Sequence, residues 1–139
     1  RALNYQGKGD YAVNALKSKD FVFVHVESPD EAGHNGDVRA KITAIENFDK
    51  FVVGTIWNHL KNTDDYRIMV LSDHATPVAI KTHVSDPAPF AMAGTGVEHN
   101  GFDIFSENNA IESKLKYKSG AALTESLIRL DSSHKISLT

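Results

Sequence analysis

Two apolar runs, each ending in an acidic residue and a histidine and joined by one long helical pattern, constrain the fold of this chain most. The first, FVFVHV at residues 21–26, alternates Phe and Val in the manner of a buried β-strand, and Pro29, Asp30, Gly33 and His34 read as the loop beyond its carboxyl end. After it, Val38, Ile42, Ile45, Phe48, Val52, Ile56 and Leu60 recur at intervals of three and four, the stripe of an amphipathic helix over residues 37–61. Asp37 suits its N-cap, and Asp37/Lys41 and Glu46/Lys50 are favourable i,i+4 pairs for its solvent side. The second run, YRIMVL at residues 66–71, reads as a strand that ends in Ser72, Asp73 and His74. Strand, long helix and strand make a βαβ unit with parallel strands and a right-handed crossover. Both acid-and-histidine loops then emerge at one sheet edge, where open α/β sheets hold ligands.

The rest of the chain fits the same plan. A helix over residues 11–16 leads into the first strand, a polar excursion runs through Lys81, His83 and Asp86, and APFAMA at residues 88–93 returns as a short strand closed by Gly94 and Gly96. A helical piece at 108–113, an extended segment at 115–117 and a last helix with Leu123, Leu127 and Leu130 toward the sheet follow, and residues 131–139 carry no pattern, as expected of a frayed tail. The 139 residues, 41% hydrophobic and 24% charged with net charge −3, suit one globular domain, residues 1–131. No basic cluster points to nucleic acid or an anionic membrane, and no apolar stretch nears the roughly 20 residues of a membrane span. Residues 1–20 lack a signal peptide's apolar core, so a cytoplasmic location is the default. The first residue is Arg1 and not Met, which suggests a piece of a longer protein.

With no cysteine present, a metal site must be built from imidazole and carboxylate, the donors that Zn²⁺ and Mn²⁺ accept. Asp30 and His34, four residues apart, reach one ion if their segment is helical or tightly turned, whereas adjacent Asp73 and His74 converge only on an irregular backbone such as a strand end. Each motif alone is commonly a solvated turn or surface contact. Together with His83 they favour a metal site.

These residues carry a family resemblance. PDEAGH followed by GD and a long helix, then LSDHATP, then THVSDPAPF, in that order, resembles the second half of the cofactor-independent phosphoglycerate mutases of the archaeal type, in the alkaline phosphatase superfamily. The resemblance runs from NYQGK at residues 4–8 to the last helix. It implies an α/β fold, a three-layer α/β/α sandwich of which this chain supplies the second half of the sheet. It also implies two divalent cations, Mn²⁺ or Zn²⁺ and in some cases Mg²⁺: Asp30, His34 and His83 match the ligands of the first, Asp73 and His74 ligands of the second. The implied reaction interconverts 3-phosphoglycerate and 2-phosphoglycerate through a phosphoserine.

The family's serine nucleophile and a further Asp ligand lie upstream of PDEAGH, and nothing here matches them. Ser18 precedes a strand, and Ser28, Ser72 and Ser85 do not open a helix as the nucleophile does. The expectation is therefore a C-terminal fragment, inactive alone, whose partners are phosphoglycerate and the missing N-terminal half, with apolar surface that a homodimer would cover. A phosphohydrolase or other phosphotransferase of the same superfamily, or a catalytically silent metal-binding domain, are the alternatives. His25, inside the first strand, is read as a core histidine or an outer partner of a ligand, and Glu27 as an outer partner or a surface group. Asp86 reads as a turn residue, Trp57 as packing, and His59, His99 and His134 as surface.

Overall fold

The computed structural model describes residues 3–129, so Leu130, His134 and the tail at 131–139 lie outside the described residues. The chain divides into two compact units: residues up to Thr63 together with His74–Pro87, and Asp64–Asp73 together with residues from Ala88 onward.

The first unit is helical. Helix α1 (Tyr5–Leu16) is N-capped by Asn4, whose side chain accepts from the Gly7 amide. PDEAGH is not a loop but helix α2 (Ser28–Asn35), and Ser28, expected to open no helix, is its first residue. The residues that read as loop formers punctuate this helix: Pro29 stands in its first turn, Asp30 and Glu31 put negative charge at its N-terminus, and Gly36 ends it at a left-handed φ of 70°. Asp37 then caps helix α3 (Val38–Asn47) by accepting from the Ala40 amide at 2.9 Å. A π-helical segment (Phe48–Val53) and helix α4 (Gly54–Leu60) continue it, so the long helix expected here is present with one widened stretch. The sequence explains the widening. Phe48, Val52, Ile56 and Leu60 follow at constant intervals of four, longer than the 3.6 residues of a regular turn, and a wider turn keeps them in line. Helix α1 packs on the π segment and α4, and α2 packs on α3. Gly9 allows the first contact, since a Cβ there would stand 2.5 Å from the Phe51 carbonyl oxygen.

The expected first strand is absent. Residues 21–27 pair with no strand among the described residues, although Val22, Val24 and Val26 are half-buried while Phe21, Phe23 and His25 are exposed, the period-2 pattern of an extended segment. An open groove of about 590 Å³ lies between this run and α1, lined by Leu3, Tyr11, Ala15, Val22 and Phe23. His25 is therefore not a core residue; half its side chain is exposed.

In the second unit, strand β1 (Arg67–Leu71) pairs antiparallel with β2 (Phe90–Gly94), Met69 facing Met92. The parallel βαβ pairing expected from the sequence is not formed among the described residues, because the first run has no ladder partner; the helices with this small sheet still make an α/β chain. Helix α5 (Glu107–Glu112) is capped by Ser106, and α6 (Gly120–Arg129) buries Leu123. Arg67 donates to the carbonyls of Leu127 and Ile128 and so closes the C-terminal turn of α6. No helix among the described residues is long and apolar enough to cross a membrane.

Candidate metal centre

His34, His74 and His83 meet where α2 faces the His74–Pro87 segment. That segment doubles back on itself through a single antiparallel bridge, Ala75 to Val84, sealed by the Val84 amide donating to the Ala75 carbonyl at 3.0 Å. The bridge sets the face. With Ala75 opposite Val84, the side chains of His74, Thr76 and His83 share the other side, since neighbours alternate along extended chain. Proline and a turn shape the return: Ile80 and Lys81 amides both donate to the Pro77 carbonyl, and Lys81 takes a left-handed φ of 59°.

Helix α2 supplies the other half. Asp30 and His34 lie one turn apart on it, and His34 Nε2 stands 3.4 Å from Asp30 Oδ2. Gly33 lets the helix come close, because a Cβ there would lie 2.5 Å from the Thr76 carbonyl oxygen. His83 Nε2 lies 3.4 Å from Asp30 Oδ1 and 3.1 Å from His34 Nε2. One ligand atom each from Asp30, His34 and His83 thus falls within a common span of 4.8 Å. Ligands about 2.0–2.1 Å from a tetrahedral ion stand about 3.3–3.4 Å from one another, so the two approaches to Asp30, one through each carboxylate oxygen, match such spacing, and the set of three need only draw together to share one ion.

The protons fit too. His34 Nδ1 is 3.0 Å from the Lys81 carbonyl oxygen, which only accepts, so Nδ1 carries a hydrogen and the neutral ring keeps its lone pair on Nε2, on the side of Asp30 and His83. Asp30 is ionised: the Thr76 hydroxyl bond holds its carboxyl below the ordinary value, partial burial opposes this, and His34, His83 and His74 add to the lowering.

Two partners were not singled out from the sequence. Thr76, almost fully buried, donates from Oγ1 to Asp30 Oδ1 at 2.5 Å. Lys41 does not form the solvent-side pair with Asp37; its Nζ donates to the Thr76 carbonyl at 2.6 Å. The signal for Thr76 was its place two residues after His74, on the same face of any extended segment. Lys41 had no signal, because its partner is 35 residues away.

His74 joins the cluster, its ring centroid 3.8 Å from that of His83 with the planes tilted by 34°, and its Nδ1 3.9 Å from Asp30 Oδ1. Asp73 is an exposed residue of the other unit. His25 and Glu27 approach each other at 3.9 Å, both exposed. His99 and Asp103, an exposed pair at 3.2 Å, stand in the second unit.

A family model described as the metalloenzyme superfamily matches residues 1–125. The chain is 48% identical over 112 residues to 2,3-bisphosphoglycerate-independent phosphoglycerate mutase 2 of Methanothermobacter thermautotrophicus, a match covering 81% of this chain and 28% of that protein. It is 49% identical over 110 residues to the 2,3-bisphosphoglycerate-independent phosphoglycerate mutase of Methanothrix thermoacetophila, covering 78% and 28%. A solved structure of a Pyrococcus horikoshii protein superposes with a TM-score of 0.74 at 35% identity, covering 78% of this chain and 32% of that one. The chain thus spans under a third of the length of these relatives, and its α/β fold is of their kind.

Proposed function

The chain belongs to the metalloenzyme superfamily, and on that premise we propose that it is the metal-binding portion of a phosphoglycerate mutase. Asp30, His34 and His83 hold one divalent cation, and Asp73 and His74 contribute to a second. The convergence of the three donor atoms within 4.8 Å, with His34 already in the tautomer a metal requires, carries this reading. Imidazole and carboxylate donors suit Mn²⁺ or Zn²⁺, and Mg²⁺ less well.

Bound cations would offset the charge of a phosphoryl group and of the attacking and leaving oxygens in an in-line displacement. This chain's residues then have defined tasks. Asp30 places a full negative charge between His34 and His83, the Lys81 carbonyl orients His34, and the Ala75–Val84 bridge keeps His83 beside α2. The serine that accepts the phosphoryl group between 3-phosphoglycerate and 2-phosphoglycerate belongs to the complete protein outside these residues. Similarity to phosphoglycerate mutases at 48% and 49% identity supports the mutase reading over other phosphoryl transfer.

Calorimetric titration of Mn²⁺ into the chelator-stripped chain, beside His83→Ala, tests the first site: binding of about one ion is expected, and the variant should lose it. Absence of binding to the unaltered chain would remove the site as drawn. For the activity, the complete protein is supplied with 3-phosphoglycerate and coupled to enolase. Release of free phosphate without isomer would replace the mutase by a phosphohydrolase. The chain alone with Mn²⁺ should show no turnover. A homodimer of the isolated chain would cover exposed Tyr11 and Phe23, and light scattering at high concentration checks whether one forms.

A further inference from the structure

Thr76 lies between the two metal-binding groups of residues, and its hydroxyl touches both. Oγ1 is 2.5 Å from Asp30 Oδ1 and 3.2 Å from His74 Nδ1. A threonine hydroxyl has one hydrogen to give and lone pairs to receive. Ionised Asp30 only accepts, so the single hydroxyl hydrogen goes to Asp30. The hydroxyl can then only accept from His74, which places a hydrogen on His74 Nδ1 and, in the neutral ring, the lone pair on Nε2.

We infer that Thr76 is a positioning residue that, through one hydroxyl, aims the Asp30 carboxylate at the first cation and holds His74 in the tautomer that presents Nε2 to the second. Its placement supports such a task. The side chain is 4% exposed, the backbone is pinned by Lys41 Nζ at 2.6 Å, and the neighbouring Ala75–Val84 bridge fixes its direction. Gly33 lets α2 come close to this segment, since a Cβ there would stand 2.5 Å from the Thr76 carbonyl oxygen. A hydroxyl satisfied in this way costs nothing in burial, whereas a valine of the same shape would leave Asp30 and His74 each without that partner. The inference rests on the metal reading for its purpose, but the proton arrangement does not depend on any ion.

Imidazole ¹⁵N shifts of the metal-free chain, at a pH where the rings are neutral, read the tautomers directly. In the unaltered chain His74 and His34 should both show a protonated Nδ1 and a bare Nε2. His74 found with its hydrogen on Nε2 would overturn the inference without recourse to any variant. In Thr76→Val, the Nδ1-protonated share of His74 should fall while His34, held by the Lys81 carbonyl, keeps its own; an unchanged His74 would equally overturn it. Thr76→Ser, which restores a hydroxyl in less volume, should return the His74 signature. Mn²⁺ affinity by calorimetry should fall about 10–100-fold in Thr76→Val and recover in Thr76→Ser. Failure of the unaltered chain to bind Mn²⁺ with the His74 tautomer as stated would sink the metal reading and leave the proton arrangement standing.

Discussion

The two apolar runs that looked alike in sequence have different fates. Residues 66–71 contain β1, laddered residue by residue against Phe90–Gly94, whereas residues 21–26 keep the alternating burial of a strand without any ladder. Phe23 is 74% exposed, more than any residue of β1. Alternation of Val and Phe is therefore enough to set which side chains turn inward, but pairing needs a second chain segment at the right place, and the backbone groups of the first run find none among the described residues. Both runs nevertheless end in chemistry. The histidines beyond the first run are organised by a helix, and those beyond the second by a single bridge. The cluster of Asp30, His34 and His83 depends on these two devices and not on either strand.

The sharpest way to break the contrast is at Gly94, which has a φ of 120° and whose added Cβ would fall 2.2 Å from the Tyr66 carbonyl oxygen. Gly94→Ala should destabilise the β1–β2 pair by about 3 kcal/mol. Hydrogen exchange reads it: amides of β1, expected to be at least tenfold or so better protected than those of residues 22–26, should drop to the level of the first run. Equal protection of the two runs in the unaltered chain would contradict the pairing difference itself.

Gly33→Ala tests the device beyond the first run. Its Cβ would press on the Thr76 carbonyl 2.5 Å away, with the Thr76 methyl at 3.0 Å, so α2 and the bridged segment must part. A loss of about 1–3 kcal/mol in urea denaturation is expected, together with at least tenfold or so weaker Mn²⁺ binding, since Asp30 and His34 ride on the helix. Mn²⁺ affinity left intact would show that the approach of α2 is not what assembles the donors.

A smaller effect concerns pH. The Asp30 carboxyl is lowered by the Thr76 hydroxyl and the nearby imidazoles. A carboxyl lowered on folding contributes stability that is complete above its ordinary value near 3.9 and is lost as pH falls through the lower folded value. Asp30→Asn should flatten the acid limb of the stability curve in that window and leave its slope above about pH 5 unchanged. A third of the side chain is exposed, so solvent screening keeps the change modest. An acid limb identical to that of the unaltered chain would place the pH sensitivity elsewhere.

The smallest change is expected at Phe23→Ser, within about 0.5 kcal/mol, because little of this ring is removed from water. A much larger loss would mean that the first run is covered in solution, and the light-scattering measurement would then identify a second copy as the cover.

Several features of the fold and site were legible because they are local. Asp37 as a cap, the long helix after it and the one-turn spacing of Asp30 and His34 depend only on residues within a few positions of each other. PDEAGH was misread as a loop for an instructive reason. Proline and glycine mark the ends of a short helix as readily as they mark a turn, and eight residues are too few for an apolar period to tell the two apart.

The sequence by itself determined which donors the chain can offer: no thiol, and carboxylate and imidazole in three motifs. Only the tertiary structure decided that His83 comes back to Asp30 across a single bridge, that Lys41 leaves Asp37 for the Thr76 carbonyl, and that one strand-like run is paired while the other is not. The physical reason is distance along the chain. Caps, turns and side-chain spacing act over a handful of residues, but a bridge, a buried hydroxyl or a ladder joins residues whose meeting depends on how everything between them packs.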